Sequence, residues 1–474
     1  MPAKYHIHTE PAPPRVRPVG KLGIVDWRED CSSCHNCVKR GCVYGFYRDE
    51  ADTLRDETGY LDYIYQCKGC LNCVQDCTKG ILTRVVNPEY QRLGDAHYTP
   101  DIILSTWFQA ESGRIPVSGA GYGGPFSGAG FDGMWTDMSE IVRPTRDGIH
   151  GREYISTSVD VGRKLAHLRF HDGELGVLPP PLIQSPLPVM FEAIPRHWQR
   201  GKVVTSICRA AAEIGLFSIV RSQDVPVELS VEQENIIPWL ETAGAANNGA
   251  LSAAMVMVGD GENVMAVQAA LKDENADRIV GIRVPAGPEV KDRVLELTRQ
   301  DAEVIHLVFG RNGRELGAAR PRHMRQVLRE VHTALVEDGT RDLVTLSASG
   351  GIALAEHMAK AVVCGADLVA IDVPLVLALE CRLCGECQRD GVCPIALEDI
   401  EPRYATRRVI NLLGAWHQQL VELLGAMGIR EVRRLRGETG RCMFFEDLER
   451  ETFGRLFGKR KEPDQAACGF ATKP

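Results

Sequence analysis

The sequence predicts an α/β protein, a (β/α)8 barrel of the TIM type fronted by a small cysteine-rich α+β module. Three observations carry that expectation. Short β-branched runs alternate with amphipathic helical stretches after residue 185. Eight such runs fit into about 190 residues, the number and spacing a closed barrel requires. Twelve of the 16 cysteines gather in three groups, two ahead of the barrel and one directly after its last strand.

The strand candidates, in order, are "LPVMFEAI" from Leu187, "FSIVRS" from Phe217, "NIIPWL" from Asn235, "AMVMVGD" from Ala254, "RIVGIRVP" from Arg278, "VIHLVFG" from Val304, "LVTLSASG" from Leu343 and "DLVAIDVP" from Asp367. Helical patterns follow most of them: "VVTSICRAAAEIG", "ENVMAVQAALKDE", "EVKDRVLELTRQDA", "RHMRQVLREVHTALVEDG" and "ALAEHMAKAVVCG". A doubly wound open sheet is the architectural alternative. Around the barrel (185–400) the chain divides into a proline-rich, basic extended arm (1–20), a cysteine module (21–90), a glycine-rich irregular connector (91–184) and C-terminal helices with a tail (401–474). The connector holds a literal G-x-G-x-x-G at Gly119, Gly121 and Gly124. Pro125 and further glycines follow it instead of a helix, so a packed loop is expected there and not a dinucleotide site.

Each cysteine group opens with C-x-x-C-x-x-C, a spacing that lets thiolates on a tight loop converge on one iron–sulfur cube. Structural zinc, which takes paired C-x-x-C knuckles, is the competing reading. In two-cluster ferredoxins the fourth cysteine of each motif serves the other cluster. On that rule Cys31, Cys34, Cys37 and Cys77 hold one [4Fe-4S] cluster, and Cys67, Cys70, Cys73 and Cys42 the second. Cys381, Cys384, Cys387 and Cys393 form the third group. Of the isolated cysteines, Cys208 and Cys364 fall on the apolar faces of expected helices and read as core.

A net charge of −8, from 55 basic and 63 acidic residues, gives no electrostatic footprint for nucleic acid. The most apolar stretch, "AVVCGADLVAIDVPLVLALE", is interrupted by Asp367, Asp372 and Pro374, so no membrane span is expected. The opening "MPAKYHIHTEPAPPRVRP" lacks the apolar core of a signal peptide, and a reducing, cytoplasmic setting follows. At the end of the seventh strand candidate, "SASGG" (Ser347 to Gly351) begins a helix, so the backbone N–H groups at Ser349, Gly350 and Gly351 favour an anion.

These segments bring a family into view. "TLSASGGIALAEHMAKAVVCGADLVAID", "ECRLCGECQRDGVCP" and "NLLGAWHQQLVELLGAMGIREVRRLRG" resemble the flavin-binding domain of glutamate synthase, especially the archaeal-type form with ferredoxin-like clusters. "EVHTALVEDGTRDLVTLSASGG" matches the family's pattern of helix, Arg-Asp, strand and Gly-Gly at the seventh strand, and the similarity runs from about residue 185 to 440. The resemblance implies FMN in the barrel mouth, its phosphate held by the loops after the last two strands, with hydride passing to 2-iminoglutarate and electrons returning through the adjacent cluster. It places Arg283 at the fifth strand as a cation for flavin or substrate; the family's glycine-rich turn after the sixth strand has become "GRNGRELGA", where Arg311 is a new cation able to grip a carboxylate.

The departures from the family pattern are specific. A family glycine near the phosphate is Asp372 here, and the family's mid-barrel Lys-Pro-Gly-x-Gly-Gly stretch is missing. The family's third cluster is commonly a [3Fe-4S] held by three cysteines, whereas Cys384 adds a fourth thiolate, the set for a [4Fe-4S] cube. The amidotransferase domain is absent, so ammonia is free or comes from a separate amidotransferase subunit. Electrons come from ferredoxin or an NAD(P)H-oxidising subunit, which points to a hetero-oligomer. Two functions follow: a glutamate synthase-like FMN oxidoreductase, or an electron-transfer subunit of a larger redox complex whose barrel serves as relay or scaffold.

Overall fold

The computed structural model describes residues 5–16, 19–21, 34, 36, 40, 43, 70–80, 86–118, 121–122, 128, 130–136, 155–167, 170–176, 179–229, 233–240, 253–389 and 391–458. Parallel strands within them close a barrel: β1 Val189–Phe191, β2 Ser218–Arg221, β3 Ile236–Leu240, β4 Met255–Gly259, β5 Ile279–Pro285, β6 Val304–Val308, β7 Thr345–Ser349 and β8 Leu368–Ile371. Neighbours pair in chain order, and β8 returns to β1 through Val369↔Val189 and Ile371↔Phe191. Closure excludes the open sheet, and every strand lies inside a run predicted from sequence. The runs are nearly all apolar because a parallel strand in a barrel is buried on both faces.

Helix α1 is Pro100–Ser112, and α2 Val203–Glu213 follows β1. After β4, β5, β6, β7 and β8 come α3 Val264–Glu274, α4 Val290–Arg299, α5 Met324–Glu337, α6 Ala355–Val363 and α7 Val373–Ala378; α8 is Pro402–Ala426. One stretch agrees with the sequence reading, which placed no helix between the second and third strands, and one departs from it. Residues 222–229 and 233–235 join β2 to β3 with 3-10 turns and no α-helix among the described residues. The stretch expected to be an irregular connector contains α1, started by Pro100 and stopped by Gly113 at φ +66°, with Ile102, Ile103, Trp107 and Ala110 buried. The G-x-G-x-x-G run lies mostly outside the described residues. No helix among the described residues is long and apolar enough to cross a membrane. Cys208 and Cys364 are buried, as expected of core residues.

Helix α8 packs on α1, α2, α6 and α7. Its buried Arg408 donates to Ala378 O of α7 (2.5 Å) and Ala12 O of the extended arm (2.9 Å). Asn411, one turn on, donates to Glu10 O (2.7 Å) and Ala110 O (2.9 Å). Backbone carbonyls that would be orphaned under the helix are satisfied this way, and the arm is sewn to the barrel.

The end of the barrel away from the mouth carries its own buried ion network. Asp367, just before β8, accepts from Leu346 N (2.8 Å), Arg341 Nη2 (2.9 Å) and Arg436 Nη1 (2.8 Å). Burial alone would raise this carboxyl, but Arg341 and Arg436 overcome it and hold it below the ordinary range. A depressed carboxyl adds stability that is present above its unfolded value near 4 and lost as pH falls through the folded one. Asp367→Asn should therefore cost about 3–5 kcal/mol at pH 7, because Arg341 loses its buried counter-charge. Denaturant melts should show the gap from wild type narrowing below about pH 4.

Candidate functional site

Inside the barrel three polar side chains interrupt the apolar runs in register: Arg283 of β5 pairs with His306 of β6, and His306 with Ser347 of β7. Side chains in register on adjacent strands point to the same face. Glu192, one residue past β1, closes the group from the far side. Arg283 Nη1 lies 2.9 Å from Glu192 Oε1, and His306 Nε2 lies 2.9 Å from Glu192 Oε2 and 2.9 Å from Ser349 Oγ. His306 Nδ1 lies 2.8 Å from Ser347 Oγ. Trp239 of β3 is flanked by two guanidiniums, Arg283 at 4.2 Å and Arg221 at 4.9 Å from its ring centroid. Burial would raise Glu192, but Arg283 and the His306 hydrogen bond hold it well below the usual range. Burial keeps His306 below its ordinary value, so it is neutral at pH 7, against the pull of Glu192.

Three loops meet above this network. The turn after β7 has Gly350 at φ +96° and Gly351 at φ +73°. A Cβ on Gly350 would stand 2.6 Å from Phe309 O and 2.7 Å from Gly310 O, and one on Gly351 would overlap the backbone of Gly313. Only glycines let the loop after β6 close on the loop after β7. At β8, Asp372 is the N-cap of α7, its Oδ1 accepting from Val373 N (2.6 Å); Pro374 has no N–H, and Leu375 N bonds Asp372 O (3.0 Å). The first turn of α7 is thus satisfied from within. Burial pushes the Asp372 carboxyl up to about 6, opposed by the Val373 N–H and reinforced by Glu192.

Beyond α7, the thiols of Cys381, Cys384, Cys387 and Cys393 line one cavity together with His197, Trp198 and Arg311. Arg200 donates to Gly391 O (2.7 Å) and Cys387 O (3.2 Å), fixing the loop that carries two of them. Among the described residues no group of metal-ligating side chains is drawn tightly enough for a single ion. Of the first two groups, Cys34, Cys70, Cys73 and Cys77 are described, and Cys31, Cys37, Cys42 and Cys67 lie outside the described residues.

Residues 250–430 match the conserved region in glutamate synthase. The archaeal-type glutamate synthase [NADPH] of Thermotoga maritima is 26% identical over 86% of this chain and 91% of its own length. The archaeal glutamate synthase [NADPH] of Archaeoglobus fulgidus is 25% identical over 91% of this chain and 96% of its own. Among solved structures, a mandelate oxidase variant carrying an FMN adduct overlays with a TM-score of 0.38 at 15% identity, over 63% of this chain and 98% of that one.

Within the barrel, the residues singled out from sequence gather at the mouth but are differently engaged. Ser349, Gly350 and Gly351 end β7, and Asp372 ends β8. Arg283 is buried and paired with Glu192, whereas Arg311 is half-exposed and paired with Asp95 at 3.1 Å. Sequence reasoning missed Glu192, Trp239, His306 and Tyr98. The first and third had a signal, a lone polar residue inside the apolar runs "VMFEAI" and "VIHLVF". Tyr98 had none, because it reaches the mouth only through tertiary packing.

The raised Asp372 value gives a test of its burial. With an unfolded value near 3.9 and a folded one of about 6, its ionisation penalises the fold increasingly above pH 4 and fully above pH 6. Asp372→Asn keeps the cap and should raise Tm at pH 7 to 8 while changing it little at pH 4.

Proposed function

We propose that this chain is an oxidoreductase of the glutamate synthase type, in which electrons from ferredoxin or an NAD(P)H-oxidising partner pass through [4Fe-4S] clusters to FMN in the barrel mouth, where an imine of a 2-oxo acid is reduced. One observation carries the reading. Arg311 lines the cavity of the four thiols, and it rises from the same loop that packs on Gly350 and Gly351. The third cysteine group and the anion-favouring turn therefore share a wall. Four cysteines lining one cavity supply one thiolate for each iron of a cube.

The residues present fit the flavin phosphate at β7. Two glycines at positive φ form a turn of bare backbone after β7, four residues ahead of α6, which begins only at Ala355 and not directly after the Gly-Gly pair as the sequence suggested, and the buried Tyr98 hydroxyl has no hydrogen-bond partner among the described residues. Asp372 does not point its held oxygen at an anion, because Val373 N–H retains it. FMN, when bound, supplies a two-electron carrier that one-electron clusters can recharge. The chain's own residues do the rest. Arg283 is the cation at the barrel axis for a substrate carboxylate, Glu192 and Trp239 fix its plane, and His306, held by two serines, stays neutral and able to donate from one ring nitrogen.

A second reading is favoured by the same ion pair. Arg283 is already neutralised by Glu192, so a substrate carboxylate must share it; an electron-transfer subunit without glutamate synthase activity has no such demand.

Anaerobically purified protein should hold about twelve iron atoms, four per cysteine group, and one FMN, and its reduced form should be oxidised by 2-oxoglutarate plus ammonia. Cys384→Ser should alter the spectrum of the third cluster alone; a three-iron signal in wild type prepared without oxygen would refute the fourth ligand. Arg283→Gln should abolish the 2-oxoglutarate reaction with iron content unchanged. Loaded wild type that ignores 2-oxoglutarate and ammonia at every concentration establishes the electron-transfer reading instead.

A further inference from the structure

One five-residue segment ahead of the barrel touches all three loops of the mouth. Gly94 N donates to Arg382 O in the third cysteine group (3.0 Å), Asp95 pairs with Arg311 of the β6 loop (3.1 Å), and His97 Nε2 lies 3.0 Å from Gly351 O of the β7 turn. Tyr98 completes the set. Its ring lies 5.7 Å from the Arg311 guanidinium, it is fully buried, and its hydroxyl has no hydrogen-bond partner among the described residues. Burial raises the phenol well above its ordinary value, and Asp372 and Asp95 add to this while Arg311 opposes it. The hydroxyl is therefore a permanent donor.

A buried hydroxyl without a partner costs about 1–3 kcal/mol. Phenylalanine would fill the same space without that cost. The natural explanation of the retained oxygen is a partner that arrives with a ligand. Position tells which end of the ligand it meets: Arg311 of the β6 loop lies over its ring and its neighbour His97 meets the β7 turn at Gly351, whereas the barrel axis is occupied by Glu192, Arg283 and His306.

We propose that Tyr98 Oη and Arg311 complete the phosphate site of the mouth, gripping the phosphomonoester of the flavin nucleotide from outside the barrel while Gly350 and Gly351 offer backbone from within. This rests on the flavin reading above and reassigns Arg311 from the substrate to the cofactor. Arg311 exchanges Asp95, half-exposed and cheap to release, for a phosphate it can bind through two parallel hydrogen bonds. The Tyr98 hydroxyl donates to a third oxygen. The facing charges from other elements are Asp372 of β8, Glu192 of β1 and Asp95.

The test compares FMN with riboflavin, which lacks the phosphate, on flavin-stripped full-length protein with its clusters retained. Wild type should prefer FMN by at least about a hundredfold. Tyr98→Phe should lose about tenfold or more in FMN affinity, the worth of a hydrogen bond to a charged group, with riboflavin affinity unchanged and the Tm of the stripped protein unchanged or higher. Arg311→Gln should lose FMN affinity in the same selective way. An unaltered FMN-to-riboflavin ratio in Tyr98→Phe overturns the proposal and leaves the flavin reading standing. A fall in the Tm of stripped Tyr98→Phe also overturns it, by revealing an internal partner. Wild type that binds neither flavin removes both readings together.

Discussion

A cation at the axis of a closed barrel must be paired, and the pairing of Arg283 with Glu192 organises the interior of this one. An unpaired guanidinium in that setting costs several kcal/mol. Glu192 reaches across from β1 to β5, and its other oxygen faces His306 of β6, which in turn holds Ser347 and Ser349 of β7. Trp239 of β3 lies flat against the same guanidinium. Five of the eight strands therefore meet in one polar network, and each polar atom in it restricts the rotamers of the next.

The loops above inherit that order. Ser349 is both the last residue of β7 and a partner of His306, so the turn at Gly350 and Gly351 starts from a fixed point. The absence of side chains on those two residues brings the β6 loop down onto them, and Arg311 with it. The segment around Asp95 and His97 then bonds to the placed loops and to the third cysteine group. Helix α8, through Arg408 and Asn411, fastens the extended arm and α1, the helix that continues from that segment. Elements far apart in sequence are in this way drawn to a single end of the barrel, where active sites of this architecture lie.

Three carboxylates, two of them buried and one, Asp372, half-buried, show how environment divides one chemistry into different roles. Asp367 and Glu192 each face guanidinium groups and are held below the ordinary range despite burial. Asp372 is desolvated and faces the like charge of Glu192, which its backbone N–H donors and the more distant Arg311 do not overcome, and it rises to about 6. The first stabilises the closed end of the barrel, the second orients the axis, and the third sits at the mouth with a proton that neutral pH can remove. Carboxyls whose environments push them apart in this way are where proton-coupled events concentrate.

The sequence by itself determined the barrel strand by strand, because each strand is a short apolar run and each run survives only if buried on both faces. It also pointed to the resemblance to glutamate synthase, through the Gly-Gly turn and the cysteine group after β8, and it located Ser349, Gly350, Gly351, Asp372, Arg283 and Arg311 at or near strand ends. Period and spacing are local properties, so they could be read directly. Only the tertiary structure decided what those residues face. That Arg283 is spent on Glu192, that glycine at 351 is required by the backbone of Gly313, and that Tyr98 reaches the mouth from outside the barrel are all contacts between segments tens to hundreds of residues apart. Such contacts leave no periodic trace in the chain, because they are set by where barrel closure happens to bring the loops together.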